Sequence, residues 1–316
     1  MKRVIITGPT GQVGMALIDE LIKNDVEITA VVRAGSDRVK RLTNSDKLTI
    51  IENNLDEMCR LPGLVNGDYD AFYHLAWDFS RDHENVDRQY KNIGYTLEAI
   101  RVAHEIGCKV FIGAGSQAEY GIVDGTITPV TPCNPVMAYG MAKLTCGQLG
   151  RKLASQLGIK FIWPRIISTY GPGDAESAMI PSLIRSLLKG EKPALTKGEQ
   201  QWDFMFSRDC AKALRLIAEK GVDGAVYCIG NGSPRPLRDY IEDIRDAINP
   251  NLPLGFGEVP YRENQVMKLD IDITSLIEDT GYHPDYSFEV GIRETIEWFR
   301  NNGQAFKQEE LDNSLS

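Results

Sequence analysis

The stretch TGPTGQVGMAL (7–17) sets Gly8, Gly11 and Gly14 between an apolar run, RVIIT, and the start of a helical pattern. A chain that passes from a buried strand into a helix over closely spaced glycines has few architectures open to it. The turn is tight, the helix lies back on the sheet, and the next strand runs parallel to the first. The remaining apolar runs fit that scheme. EITAVVR (27–33), KLTIIEN (47–53), DAFYHLA (70–76), KVFIGAG (109–115) and IKFIWPRI (159–166) are strand-like and alternate with helical spacing at 15–24, at 95–107 and from 138 onward. Near-continuous apolar strands of this kind belong to a parallel sheet covered on both faces.

The fold class predicted is α/β: a Rossmann-type doubly wound parallel sheet with a smaller mixed α/β C-terminal substrate lobe. Residues 1–166 form the dinucleotide-binding domain. A helix near 208–220 and the strand AVYCIG (225–230) return residues 201–231 to it. Residues 167–200 and 232–302 form the substrate lobe, and the polar stretch 303–316 is a frayed tail.

Bulk properties narrow the function. With 42% apolar and 25% charged residues the chain has the composition of a soluble globular protein. No window approaches the roughly 18 consecutive apolar residues of a membrane span, and the start, MKRVIITG, lacks a leader's features, so a cytoplasmic protein without membrane contact is expected. A net charge of −9 without a basic patch argues against nucleic acid as a partner. The six cysteines (59, 108, 133, 146, 210, 228) and four histidines (74, 83, 104, 283) show no metal-ligand spacing, so no metal is expected and each cysteine reads as a small buried apolar residue.

The glycine turn brings backbone N–H groups to a pyrophosphate at a helix N-terminus, which nominates Gly8, Thr10, Gly11, Gln12, Val13 and Gly14 as cofactor-binding. An acidic residue ending the second strand selects NAD through the ribose hydroxyls. Here the strand ends in Val32 and Arg33, with Ser36 and Arg38 close behind. A guanidinium suits a 2′-phosphate, so NADP(H) is favoured, while Arg33 stacked on adenine leaves NAD(H) possible.

AYGMAKLTC (138–146) puts Tyr139 and Lys143 one turn apart on a single helix face. A tyrosine ordinarily ionises near pH ~10; a neighbouring ammonium and an oxidised nicotinamide both favour the phenolate. Tyr139 then exchanges a proton with a substrate oxygen, and Ser116, ending a sheet strand, hydrogen-bonds the same oxygen.

GPTGQVG, HLA (74–76), GSQAEYG (115–121), YGMAK (139–143), YGPG (170–173) and VPYR (259–262) occur in one order along residues 1–300. In this the chain resembles the extended short-chain dehydrogenase/reductase family of NAD(P)-dependent nucleotide-sugar epimerases, dehydratases and reductases. The resemblance implies catalysis by Ser116, Tyr139 and Lys143, with Lys143 also at the nicotinamide ribose. It places Asn54 and Leu55 at adenine, Leu75 and Ala76 along the cofactor cleft, and Asn92 at a helix start beside the nicotinamide half. Arg165 and Ile166, ending the sixth strand, complete the cofactor set. Arg262 and Arg208 are implied at the substrate diphosphate, with Gln117, Ser168 and Trp202 at the substrate. The pocket is assigned to loops 78–88, 117–135, 168–180 and 254–264.

The family's sugar dehydratases resemble one another in a Thr-Asp-Glu run where this chain has Ser116-Gln117-Ala118, which disfavours elimination of water. Together with Arg33, the variants STYGPG and QWDF resemble nucleotide-linked 4-keto-6-deoxysugar reductases. A nucleotide-sugar 4-epimerase with retained NAD is the alternative, and a dinucleotide-binding regulator the third reading. A homodimer through helices near 88–106 and 138–156 is expected from the resemblance, with Leu144, Leu149, Leu153 and Leu157 as its apolar stripe or as core.

Overall fold

In the computed structural model of the chain, which describes residues 1–78, 83–263 and 265–302, one parallel sheet organises the molecule. Its strands are β1 (Arg3–Thr7), β2 (Glu27–Val32), β3 (Leu48–Glu52), β4 (Ala71–His74), β5 (Val110–Gly113), β6 (Lys160–Ile166) and β7 (Val226–Ile229). They lie in the order β7-β6-β5-β4-β1-β2-β3. The reversal of direction falls between β1 and β4, where Val4 sits beside Ile28 on one side and Ala71 on the other. In a doubly wound sheet the cleft opens above the carboxyl ends of such a pair. β1, β4 and β5 are buried almost throughout, which explains their unbroken apolar runs.

Helices cover both faces. On one, α1 (Gln12–Lys23) and α5 (Ser207–Lys220) bury Leu17, Leu21, Leu214 and Ile217. On the other, α2 (Val86–Ile106) and α3 (Ala138–Leu157) bury Ala99, Ile100, Cys146 and Ala154. Beneath α2 and α3 a row of stacked rings, Phe72, Phe111, Phe161 and Trp163, crosses β4, β5 and β6 at centroid separations of 5.7, 5.8 and 5.9 Å. The first two steps pass from strand to neighbouring strand and the third runs along β6, so the rings pack as one row on this face of the sheet. A third core, with Ile184, Leu187, Ile241, Ile244, Ile292 and Phe299, joins α4 (Met179–Leu188), α6 (Leu237–Ile248) and α8 (Phe288–Asn302). The short α7 (Thr274–Thr280) packs on the α5 face.

Some expectations shift. α2 begins at Val86, well ahead of Tyr95, because the Asn85 side chain caps it by accepting from the Arg88 N–H at 3.0 Å. Cys108, Cys146, Cys210 and Cys228 are buried, but Cys59 is exposed and Cys133 half-buried. Leu153 and Leu157 pack into the core, whereas Leu149 is 49% exposed. Among the described residues no helix is long and apolar enough to cross a membrane, and no acidic, histidine and cysteine group could hold a metal. The expected tail 303–316, and residues 79–82 and 264 of the expected pocket loops, lie outside the described residues.

Candidate active site

The glycine turn opens the cleft. A Cβ at Gly14 would lie 2.3 Å from the Gly8 carbonyl oxygen, so only glycine lets α1 start this close to β1. Gly11 is the N-cap; no side chain caps α1 and no acidic residue occupies its first turn. The first N–H groups and the positive end of the helix dipole therefore face the cleft. Gln12 Oε1 accepts from Thr169 Oγ1 at 3.0 Å, while its Nε2 is buried with no partner. An orphaned donor beside an uncapped helix start is what an anionic pyrophosphate satisfies, so these residues fit a dinucleotide. Thr10 and Val13 are half-buried in the same turn.

Across the edge of the sheet, Arg33 follows β2 and is exposed, as is Arg38. Asn54 Oδ1 accepts from the Ala34 N–H at 3.2 Å, tying the loop after β2 to the loop after β3. Leu55 packs into the core behind it. Thr7 Oγ1 accepts from the Ala76 N–H at 3.3 Å and meets His74 Nδ1 at 3.0 Å. His74 is held neutral: burial first, and Lys143 second, depress it to about 3. Leu75 and Ile166 both pack against the core shared by α1 and α5.

Ser116, Tyr139 and Lys143 come together at the carboxyl end of β5. The strand breaks after Gly113 and resumes at Gly115–Ser116, which pairs with Arg165 and Ile166 in unchanged register. The break lies opposite Trp163 and Pro164, and proline has no N–H to give the ladder. The Ala114 carbonyl instead accepts from Lys143 Nζ at 2.8 Å. Ser116 then caps a 3-10 turn, Gln117–Glu119, accepting from the Ala118 N–H at 3.2 Å. A Cβ at Gly140 would lie 2.3 Å from the Ala118 oxygen, so the glycine after Tyr139 is what lets α3 approach this turn. Tyr139 thereby reaches a hydrogen bond with Ser116.

Burial dominates the electrostatics of the pair. Burial raises Tyr139 above its ordinary value and Glu119 adds to the rise, while the Ser116 hydrogen bond opposes it. Lys143 Nζ sits 3.7 Å from the Trp77 ring centroid and 5.8 Å from that of Tyr139. Lys143 itself, 5% exposed, is lowered by burial to about 8. Asn92 is not at the helix start; it lies inside α2 and grips the Asp78 backbone, accepting from its N–H at 2.7 Å and donating to its carbonyl at 3.0 Å.

Arg165 departs furthest from its expected role. Its Nε donates to Glu119 Oε2 at 2.7 Å, and its guanidinium lies 4.4 Å from the Tyr120 ring centroid. Burial works against its charge, yet Glu119 and Tyr120 outweigh it and hold Arg165 above its usual value. The guanidinium is thus engaged by Glu119 and Tyr120. Glu119, fully buried, also accepts from the Ser116 N–H at 2.8 Å and Trp163 Nε1 at 3.0 Å. Sequence reading missed Glu119 and Trp77; a glutamate amid small residues in GSQAEYG is the only signal the former leaves.

On the substrate side Gln117 is half-buried beside Ser116. Trp202 Nε1 donates to Ser168 Oγ at 2.9 Å, which pairs these two expected contacts with each other. Arg208 forms an ion pair with Glu294 of α8, and Arg262 is exposed in its loop. Asp203, fully buried, accepts from the N–H groups of Asn231 and Gly232 at 2.8 and 2.9 Å and ties β7's following loop to this side.

Comparison with known proteins agrees with this architecture. The chain is 26% identical to the dTDP-glucose 4,6-dehydratase of Escherichia coli, over 97% of its own length and 96% of the relative's. It is 23% identical to the CDP-abequose synthase of Salmonella typhimurium, over 93% and 97%. Among solved structures, a UDP-N-acetylglucosamine 4-epimerase from Methanobrevibacter ruminantium superposes with a TM-score of 0.86 at 26% identity, covering 95% of this chain and 99% of that one. Residues 4–230 match the NAD dependent epimerase/dehydratase family, and the chain is an enzyme belonging to that family.

Proposed function

We propose that this enzyme reduces the 4-keto group of a nucleotide-linked sugar, with Ser116, Tyr139 and Lys143 as its catalytic residues. The observation that carries the reading is the chemistry available around Tyr139. One phenol, one hydroxyl and one ammonium converge there, while residues 117 and 118 carry no carboxyl group. The Glu119 carboxylate, beneath Ser116, is engaged by Arg165, Trp163 and the Ser116 N–H. The set can move one proton, His83 stands edge-on to Tyr139 at 5.5 Å as the other acid/base group there, and positions 117 and 118 offer no carboxyl group for elimination.

The dinucleotide, held along the α1 turn, supplies the hydride when bound. Tyr139 gives its proton to the substrate's carbonyl oxygen, Ser116 donates a hydrogen bond to that oxygen, and Lys143 steadies the charge that develops. Gln117, Ser168, Trp202, Arg208 and Arg262 are the proposed contacts for the sugar nucleotide. The test is NADPH oxidation in the presence of NDP-4-keto-6-deoxyhexoses: turnover is expected with at least one, and none with any of them overturns the reading. The second reading, a 4-epimerase with retained NAD, is favoured by the 4-epimerase superposition. It requires UDP-hexose interconversion without net change in nicotinamide absorbance.

Arg33 and Arg38 make NADP(H) the proposed cofactor over NAD(H). A charge-assisted contact of this type contributes about 1.5–3 kcal/mol, so Arg33→Ala is expected to raise the KM for NADPH on the order of 10- to 100-fold and leave NADH unchanged. Equal effects on both cofactors would assign Arg33 to adenine instead. The proposed homodimer uses the outer face of α2 and α3, where Tyr90, Met141 and Leu149 are 74, 50 and 49% exposed.

A further inference from the structure

We propose that Trp77 is a positioning residue whose indole face seats the Lys143 ammonium while its edge contact with Tyr139 sets the spacing of the pair. The proposal rests on the reading above for the role of that pair, but the geometry is independent of any substrate. Lys143 Nζ lies 3.7 Å from the Trp77 centroid, and the Tyr139 ring meets the same indole edge-on at 5.7 Å. Ala114's carbonyl also accepts from Nζ at 2.8 Å.

The indole is itself held from α2. Trp77 Nε1 donates to Gln89 Oε1 at 3.0 Å, and Asn92, three residues on and so on the same helix face, clamps the next residue, Asp78, by both backbone groups. Gln89 and Asn92 are 2% and 1% exposed, so neither grip is a surface accident. One helix thus sets the ring, and the ring sets both side chains of α3.

The consequence is electrostatic. A ring face attracts a cation and offers nothing to a neutral amine, so Trp77 favours charged Lys143. Burial is the main force against that charge. From the packed elements, Cys146 of α3 and Glu119 of the 3-10 turn support the charge, Tyr139 lies one turn away, and His74 at the end of β4 is neutral. With burial holding Lys143 near the pH at which enzymes work, a change in the ring alters how much of it is charged.

The experiment follows the ¹³Cε signal of Lys143 against pH in the full-length protein labelled with [ε-¹³C]lysine, assigned by its loss in Lys143→Met. Trp77→Leu is expected to lower the midpoint by about one pH unit, and Trp77→Phe to restore most of it. Because Trp77→Leu can weaken the fold, the unsubstituted sequence is also prepared with 5-fluoro- and 5,7-difluorotryptophan, which drain the ring face without changing its shape. The midpoint is expected to fall stepwise with fluorination, and to stop responding in Trp77→Phe. A midpoint unmoved by fluorination overturns the proposal. A shifted midpoint in a protein that turns over no nucleotide sugar would overturn the proposed function alone.

Discussion

Tyr139→Phe is expected to lower turnover by on the order of 10²–10⁴-fold and to leave dinucleotide affinity within about two-fold. The substitution removes one oxygen. The ring remains edge-on to Trp77 at 5.7 Å and to His83 at 5.5 Å, so the wall of the cleft is unchanged. What disappears is the proton and its hydrogen bond with Ser116. Turnover within tenfold of the parent would remove Tyr139 from the chemistry.

The pH dependence has a definite sign. Burial raises the Tyr139 phenol, so it keeps its proton over a wider range than a free tyrosine. A group that starts protonated serves as an acid, which is the role a carbonyl reduction needs. The reverse oxidation needs the phenolate. Its rate is therefore expected to climb with pH, while the reductive rate falls only where Lys143 loses its charge, around the value of about 8 to which burial lowers it. Initial rates measured in both directions across pH check this; a reductive rate that climbs with pH contradicts it.

The parts of this molecule legible from its sequence are those set by short-range physics. Strands buried on both faces must be apolar throughout, which is why β1, β4 and β5 stand out as runs. Tyr139 and Lys143 share a helix face by spacing alone. Residues whose role depends on a partner far along the chain were not legible. Glu119 acquires its meaning from Trp163 and Arg165, 44 and 46 residues further along the chain. Arg165 was read as a cofactor contact, and its side-chain partner, the buried Glu119 carboxylate, was not foreseen. Trp77, in the loop that follows β4, was not legible for the same reason: its indole faces the ammonium that helical spacing pairs with the phenol.

Arg165→Met is expected to destabilise the protein by about 3–5 kcal/mol, on the order of 10 °C in Tm. Methionine keeps the length and apolar contact over Tyr120, so the loss is chiefly that of the cation. Glu119 would then stand fully buried with only the Trp163 and Ser116 N–H groups, at 3.0 and 2.8 Å, to hold its charge. A buried carboxylate stripped of its counter-ion is a worse state than no charge at all. The double variant Arg165→Met/Glu119→Gln is therefore expected to recover most of the lost stability, a non-additivity that a packing defect at Arg165 would not produce. Denaturant midpoints of the parent, both single variants and the double variant close the cycle. If Arg165→Met unfolds within about 1 kcal/mol of the parent, or if the two effects simply add, the ion pair is not what anchors the turn that presents Ser116 to Tyr139.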